Sequence, residues 1–176
     1  MFDQKTVIQL GTDAFANNPG CWGSDGIGNN NCYNTDPSQD GLEGIRVFNN
    51  GTWHINDNLK INTMAMYEDI DDTREVVSFG IRPHYGFSKY WSLLGEIGIN
   101  SVENENSDTQ TLRKYTLALQ LSADSQNFWE RPSLRFFISK FNWNDAARDG
   151  SSALTVEGKQ NKTSQLIFGA QAEYWF

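Results

Sequence analysis

Residues 165–176 of the chain read QLIFGAQAEYWF. Counting back in twos from Phe176 gives only apolar side chains, whereas the positions between them are mostly polar and include Trp175. The apolar set is Leu166, Phe168, Ala170, Ala172, Tyr174 and Phe176. A period of two residues with one apolar and one largely polar face predicts a β-strand whose faces meet different surroundings.

An ending with a terminal Phe and another aromatic residue two positions earlier resembles the last strand of a bacterial outer-membrane β-barrel. In that fold, side chains alternate between lipid and a water-filled lumen, and aromatic residues gather at the interfaces. An aromatic content of 13% is sufficient for such girdles. No stretch approaches the roughly 18 apolar residues of a membrane-spanning helix. The formal charge of -8 argues against a nucleic acid as partner.

Eight stretches with strand-like patterning can be identified, several of them longer than the usual strand of a soluble protein. Their lengths match the roughly 9–11 residues that cross a bilayer at a tilt. Long and short connections alternate, as in a barrel with one end in the periplasm and the other outside, and this places the C-terminus in the periplasm. The predicted strands are Lys5–Thr12, Leu42–Ile55, Leu59–Glu68, Arg74–Phe87, Tyr90–Asn100, Leu112–Ala123, Ser133–Trp143 and Ser164–Phe176.

The two faces of these strands can be assigned from the same alternation. In the sixth strand, Tyr115 and Leu117 point to lipid, whereas Lys114 and Thr116 point inward. A soluble barrel would reverse this arrangement, with apolar side chains inside. Pro83 favours a special location within its strand, because proline cannot donate a hydrogen bond to the ladder.

Three blocks carry a family resemblance: TREVVSFGIRPHYGFSKYWSLLGEIGINSVEN at 73–104, FWERPSLRFFISKFNWND at 128–145, and the terminal FGAQAEYWF. Together they resemble the C-terminal part of the maltoporins, the sugar-specific porins of Gram-negative outer membranes. The resemblance implies an all-β fold, an antiparallel transmembrane β-barrel of 18 strands, of which residues 1–176 form a single C-terminal segment of about eight. It also implies a homotrimer and the passive diffusion of maltose and maltodextrin-type oligosaccharides. Residues 1–5 lack the features of a signal peptide, so either a signal was removed or this is a fragment of an exported protein, and the strand count favours a fragment.

In the maltoporins, sugars move along a lane of aromatic side chains in the lumen, the greasy slide. The resemblance places Trp175 and Trp129 in this sugar-binding lane. The alternative for Trp175 is an interfacial residue after a slip in register, or the core of a small closed barrel. For Trp129 the alternative is an interfacial aromatic. Trp53 and Trp91 are assigned to the girdles, and Trp143 fits either role.

Five charged residues are candidates for the polar lumen wall. Arginine forks suit sugar hydroxyls and also pair with carboxylates. The preferred interpretation for most of them is a network of ion pairs that keeps the lumen hydrated. The candidates are Arg46, Arg82, Arg135, Glu96 and Glu173.

Cys21 and Cys32 lie in the first long connection and are predicted to form a disulfide, with two free thiols as the alternative. No metal site and no cofactor are predicted, since the two histidines, His54 and His84, lie in different segments. The sequence lacks a nucleophile elbow and a P-loop, so the protein is not expected to be an enzyme.

The sequence thus predicts an outer-membrane sugar porin. A general porin, or a surface receptor for phage or adhesion, is the first alternative. A self-contained eight-stranded barrel with a binding or hydrolytic function is the second, and it requires the first and last strands to pair. Two unpaired edges would be unstable in lipid.

Overall fold

Eight β-strands in one antiparallel sheet make up most of this structure, a computed structural model that describes residues 2–12, 41–71, 73–127, 130–149 and 162–174. The strands follow one another across the sheet in chain order. Their bounds are β1 Phe2–Thr12, β2 Glu43–His54, β3 Leu59–Ile70, β4 Arg74–Gly86, β5 Trp91–Asn104, β6 Gln110–Ser122, β7 Ser133–Trp143 and β8 Ser164–Glu173. One short helix, α1, spans Asp145–Asp149.

The prediction of an all-β antiparallel fold with eight strands is confirmed. Most boundaries lie within a few residues of the expected ones, but β5 runs to Asn104 rather than to Asn100. The extension, residues 101–104, contains Val102 as its only apolar residue, so alternation gave little signal for it, yet it pairs with the start of β4 through Arg74 and Asn104. Backbone pairing with a neighbouring strand therefore overrides the weak local preference. The end of the terminal strand beyond Tyr174 lies outside the described residues.

Within the described ranges, pairing joins consecutive strands only, so that β1 and β8 are the two edges of the sheet. The sheet is open, which agrees with part of a larger barrel. A self-contained eight-stranded barrel would require β1 to pair with β8.

Side chains alternate between two faces that the register defines across all eight strands. We call inner the face that carries Glu68, Glu96, Gln120, Arg135 and Glu173, and outer the opposite face. Large apolar side chains of the outer face are exposed, whereas polar ones of the inner face, Gln120 among them, are buried. This is the reverse of a soluble barrel. The exposed outer set includes Val77, Phe79, Tyr85, Leu93, Ile97, Ile99, Tyr115, Leu117, Leu119, Leu121, Phe136, Ile138, Leu166 and Phe168.

Pro83 lies where the pairing between β4 and β5 is interrupted. The β4–β5 register passes from Ile81 opposite Ile97 to His84 opposite Leu94, and Pro83 falls between them. The proline ring packs over Gly95, where a Cβ atom would stand 3.2 Å from the Cγ of Pro83. A proline is tolerated at this position because the facing glycine leaves room for its ring.

No helix among the described residues has the length and apolarity needed to span a membrane.

Candidate functional site

Three glutamates on the inner face are each held by two cationic side chains. We name the groups after their carboxylates: the Glu68 cluster, the Glu96 cluster and the Glu173 cluster. They occupy different heights and different strands of the sheet. The members are Arg46, Glu68 and Arg74; Arg82, Glu96 and Lys114; and Arg131, Arg135 and Glu173.

In the Glu68 cluster, two guanidinium groups approach opposite oxygens of one carboxylate. Arg46 donates to Oε2 of Glu68, with Nε at 2.8 Å. Arg74 donates to Oε1 from Nη2 at 2.7 Å and from Nε at 3.2 Å. Only 2% of the Glu68 side chain is exposed. Arg46 was a predicted candidate and Glu68 was not. The predicted third strand ended at Glu68, whereas β3 runs to Ile70 and so includes it within the strand.

The Glu96 cluster lies farther along the wall, where β4, β5 and β6 are adjacent. Arg82 donates to Oε2 of Glu96 from Nε at 2.9 Å, and a second bond comes from Nη2. Lys114 contacts Oε1 through Nζ at 2.5 Å. Both predicted candidates of this group, Arg82 and Glu96, therefore bind each other directly.

The Glu173 cluster joins the other two predicted candidates. Arg135 donates to both oxygens of Glu173, at 2.7 Å from Nη1 and 3.3 Å from Nη2. Arg131 contacts the same carboxylate. The Nε of Arg135 donates to Oε1 of Gln120, whose side chain is completely buried. Gln171 adds a bond to Oε1 of Glu173 at 3.0 Å.

Each carboxylate is thus bound by two cations, and each cluster carries one more positive than negative charge. Glutamates that already accept several charge-assisted bonds have little remaining capacity to accept from a sugar hydroxyl. The arginine and lysine groups hold more N–H donors than these bonds consume. The inner face therefore offers mainly hydrogen-bond donors, although the whole chain has a formal charge of -8.

The tryptophans separate by face. Trp53 and Trp91 belong to the outer face, in register with Ile61 and Leu121. Trp143 belongs to the inner face but is only 5% exposed. It ends β7 immediately before α1, whose Ala147 is fully buried.

The predicted slide residues Trp175 and Trp129 lie outside the described residues, as do Cys21 and Cys32. Their roles in sugar binding and in a disulfide stay predictions. The strand that precedes Trp175 is described, and its Gln171 and Glu173 share the inner face with Arg135.

Sequence reasoning named none of the phenylalanines on the inner face of the described strands, which are Phe48, Phe137 and Phe141. Phe137 is the one that lies among the charged clusters. Phe137 follows Arg135 by two residues in β7 and borders a cavity of about 140 Å³ together with charged residues. The signal was in the pattern: an aromatic residue on a polar phase is the criterion that singled out Trp175. It was overlooked because Phe136 and Phe137 are adjacent, which obscures the alternation.

The comparisons agree with these features. The LamB porin family profile matches residues 1–176. Maltoporin 1 of Klebsiella pneumoniae subsp. pneumoniae is 33% identical over 143 residues, in an alignment that covers 76% of this chain and 32% of that protein. The chain thus spans about a third of the length of the curated relative it matches. The members of a porin family are channels, which agrees with the expectation that the chain is not an enzyme. The predicted maltoporin resemblance is confirmed. The chain belongs to the LamB porin family.

Proposed function

We propose that this chain forms part of the wall of an outer-membrane sugar porin that conducts maltose and maltodextrin-type oligosaccharides by passive diffusion. The observation that carries the proposal is the separation of faces in a member of a porin family: exposed apolar side chains on one side and charged, hydrogen-bonded ones on the other. Strands of 10–14 residues are long enough to cross a bilayer at a tilt.

The aromatic lane is the second part of the proposal. A sugar ring has an apolar C–H face that packs on an aromatic side chain, while its hydroxyls bind polar groups beside it. Continuing the alternation of β8 past Glu173 by two residues predicts Trp175 on the inner face, near Arg135 and Arg131. Trp129, close to Arg131 in the chain, is proposed as a further lane residue. Each contact must be weak, since conduction requires release at every step.

The charged wall supports hydration and donates to hydroxyls. Arg46, Arg82 and Arg135 are held in fixed orientations by Glu68, Glu96 and Glu173, so little side-chain entropy is lost when their remaining N–H groups bind a sugar. The glutamates act as anchors for these cations rather than as sugar ligands.

The setting follows from the connections. The two longest connections, 13–42 and 144–163, lie at one end of the sheet together with the short ones 71–73 and 105–109, whereas 55–58, 87–90 and 123–132 lie at the other end. In a transmembrane barrel the short turns face the periplasm. We therefore place the C-terminus in the periplasm of a Gram-negative cell, and this segment in an 18-stranded barrel that assembles as a homotrimer.

Current block by sugar in planar bilayers tests the function. Maltohexaose is expected to interrupt the ion current of the porin that contains this chain, and Trp175→Ala is expected to raise the half-blocking concentration about tenfold, which corresponds to roughly 1.4 kcal/mol of lost contact. Trp91→Ala removes a tryptophan from the outer face and is the matched control. Equal block in the Trp175→Ala and parent pores would refute the lane.

Permeation of unrelated solutes distinguishes the alternative. Liposome swelling rates that are the same for maltose and for non-sugar solutes of equal size would favour a general porin or a surface receptor over a sugar channel.

A further inference from the structure

We propose that Phe137 is the platform of a sugar subsite on the inner wall, separate from the tryptophans at the periplasmic end. The proposal rests on the proposed function and names where in the described wall one sugar unit binds. Phe137 of β7 stands opposite Ala118 of β6 on one side and opposite Gly169 of β8 on the other. Both facing residues are small, so no large side chain covers the ring from either side.

Gly169 determines where the ring lies. A Cβ atom at this glycine would stand 2.9 Å from Cζ and 3.2 Å from Cε1 of Phe137. The distal half of the ring therefore occupies the space that any side chain at residue 169 would need. A glycine within a strand costs stability, and a close approach of this kind accounts for its presence. The ring leans along the wall over β8 and remains half-buried.

The cavity beside the ring lies between two of the ion-pair clusters. The cavity, of about 140 Å³, has an apolar side formed by Phe137, Leu94 and Ala118 and a polar side, and it opens onto the inner face. It is smaller than the roughly 300–1,000 Å³ of a typical ligand pocket, so it suits one unit of an oligosaccharide rather than the whole chain. The polar residues are Arg82, Glu96, Lys114, Thr116, Arg135, Ser139 and Gln171.

The polar groups are fixed before any ligand arrives. Arg82 and Lys114 are anchored by Glu96, and Arg135 is anchored by Gln120 and Glu173. Because Glu96 and Glu173 are each already bound by two cations, the cavity presents mainly N–H donors next to an aromatic ring. Donors of this kind fit the hydroxyl oxygens of a neutral sugar whose C–H face lies on Phe137. The occupant is therefore one pyranose unit of a neutral oligosaccharide.

Adjacent phenylalanines on opposite faces provide the test. In the porin that contains this chain, Phe137→Ala is expected to weaken maltohexaose block about fivefold, as the loss of roughly 40 Å² of apolar contact implies. Phe136→Ala truncates the next residue, which is 50% exposed on the outer face, and should leave block unchanged. Phe137→Leu keeps part of the apolar contact but not the flat ring, and should weaken block in the same direction by less than Phe137→Ala does.

Gly169→Ala provides a second, independent test. The added Cβ pushes the Phe137 ring from its position, so block should weaken in the parent background and not in the Phe137→Ala background. If Trp175→Ala weakens block but Phe137→Ala is blocked as strongly as the parent pore, the Phe137 subsite is overturned and the proposed function stands. Equal losses in Phe136→Ala and Phe137→Ala would also overturn it. A parent pore that no maltodextrin blocks would overturn the proposed function as well.

Discussion

Glu173 shows how a carboxylate is stabilised in the wall. It binds Arg131 and Arg135, and 21% of its side chain is exposed, so its desolvation is only partial. Two charge-assisted partners and the bond from Gln171 offset that cost. Removing the carboxylate would leave two guanidinium groups close together with no anion between them, and their repulsion would add to the lost hydrogen bonds.

Glu173→Gln is therefore expected to lower the free energy of unfolding of the porin by about 1–2 kcal/mol, a value reduced from that of a fully buried pair because the lumen is wet. Urea titration in lipid vesicles, followed by tryptophan fluorescence, measures it. Glu103→Gln, an exposed carboxylate whose partner is the hydroxyl of Thr109, is the matched control and should change the free energy by less than about 0.5 kcal/mol. A loss no greater than that of the control would show that the cluster does not contribute to stability.

The sequence identified charged residues as candidates for the lumen wall, but not which of them form ion pairs with each other. Arg82, Glu96, Arg135 and Glu173 were found because each lies on the polar phase of its strand. Pairing depends on register, and register depends on turn geometry that the pattern does not fix. Arg131 was missed for a related reason: it lies before β7, where no alternation operates, and reaches Glu173 from the turn.

At the scale of elements, Asn144 attaches α1 to the sheet. Its Oδ1 accepts from the backbone N–H of Ala147 at 3.0 Å, which caps the helix, and from the N–H of Thr111 at 3.1 Å. Its Nδ2 donates to the carbonyl of Thr109 at 2.7 Å. One side chain thus joins the helix to the start of β6. A five-residue helix has no stability of its own, so it depends on this cap and on the burial of Ala147.

Asn144→Ala should release α1, with a local cost of about 1–2 kcal/mol for the lost cap and bridging bonds. Tryptic cleavage after Arg148, inside the helix, reports the opening. We expect cleavage about five- to thirtyfold faster in the variant than in the parent, if opening precedes cutting.

Asn142→Ala, two residues earlier on the outer face of β7, should leave cleavage after Arg148 unchanged. Parent-like cleavage in Asn144→Ala would show that other contacts hold the helix.

Elements differed in how well the pattern predicted them. β6 and β7 were recovered almost to the residue, because consecutive outer positions are apolar from Tyr115 to Leu121 and from Leu134 to Ile138. The helix α1 was not expected, since five residues are too few for a helical period to be recognised. The polar end of β5 was missed because its structure comes from pairing rather than composition.

At the scale of the molecule, the sheet has two requirements that its surroundings must meet. Its outer face exposes apolar side chains on several strands, for example Ile97, Leu117 and Phe136. Its edges, β1 and β8 among the described strands, carry backbone groups that hydrocarbon cannot satisfy. Lipid meets the first requirement, and further strands of a barrel meet the second. The same sheet in water would expose an apolar surface far larger than soluble proteins tolerate.

A charge placed on either face tests this assignment. Ile97 is 53% exposed on the outer face near the middle of β5, which spans Trp91–Asn104, so Ile97→Arg would put a guanidinium into hydrocarbon. The expected loss in free energy of unfolding is about 2–4 kcal/mol in lipid vesicles, as for arginine near the midplane of a barrel. Met64→Arg is the matched change on the inner face, where a cavity of about 390 Å³ leaves room for the side chain. Its loss should stay below about 1 kcal/mol, because the lumen holds water. If Met64→Arg is instead the more damaging change, the inner face is a dry core. It could then not be the wall of a water-filled channel.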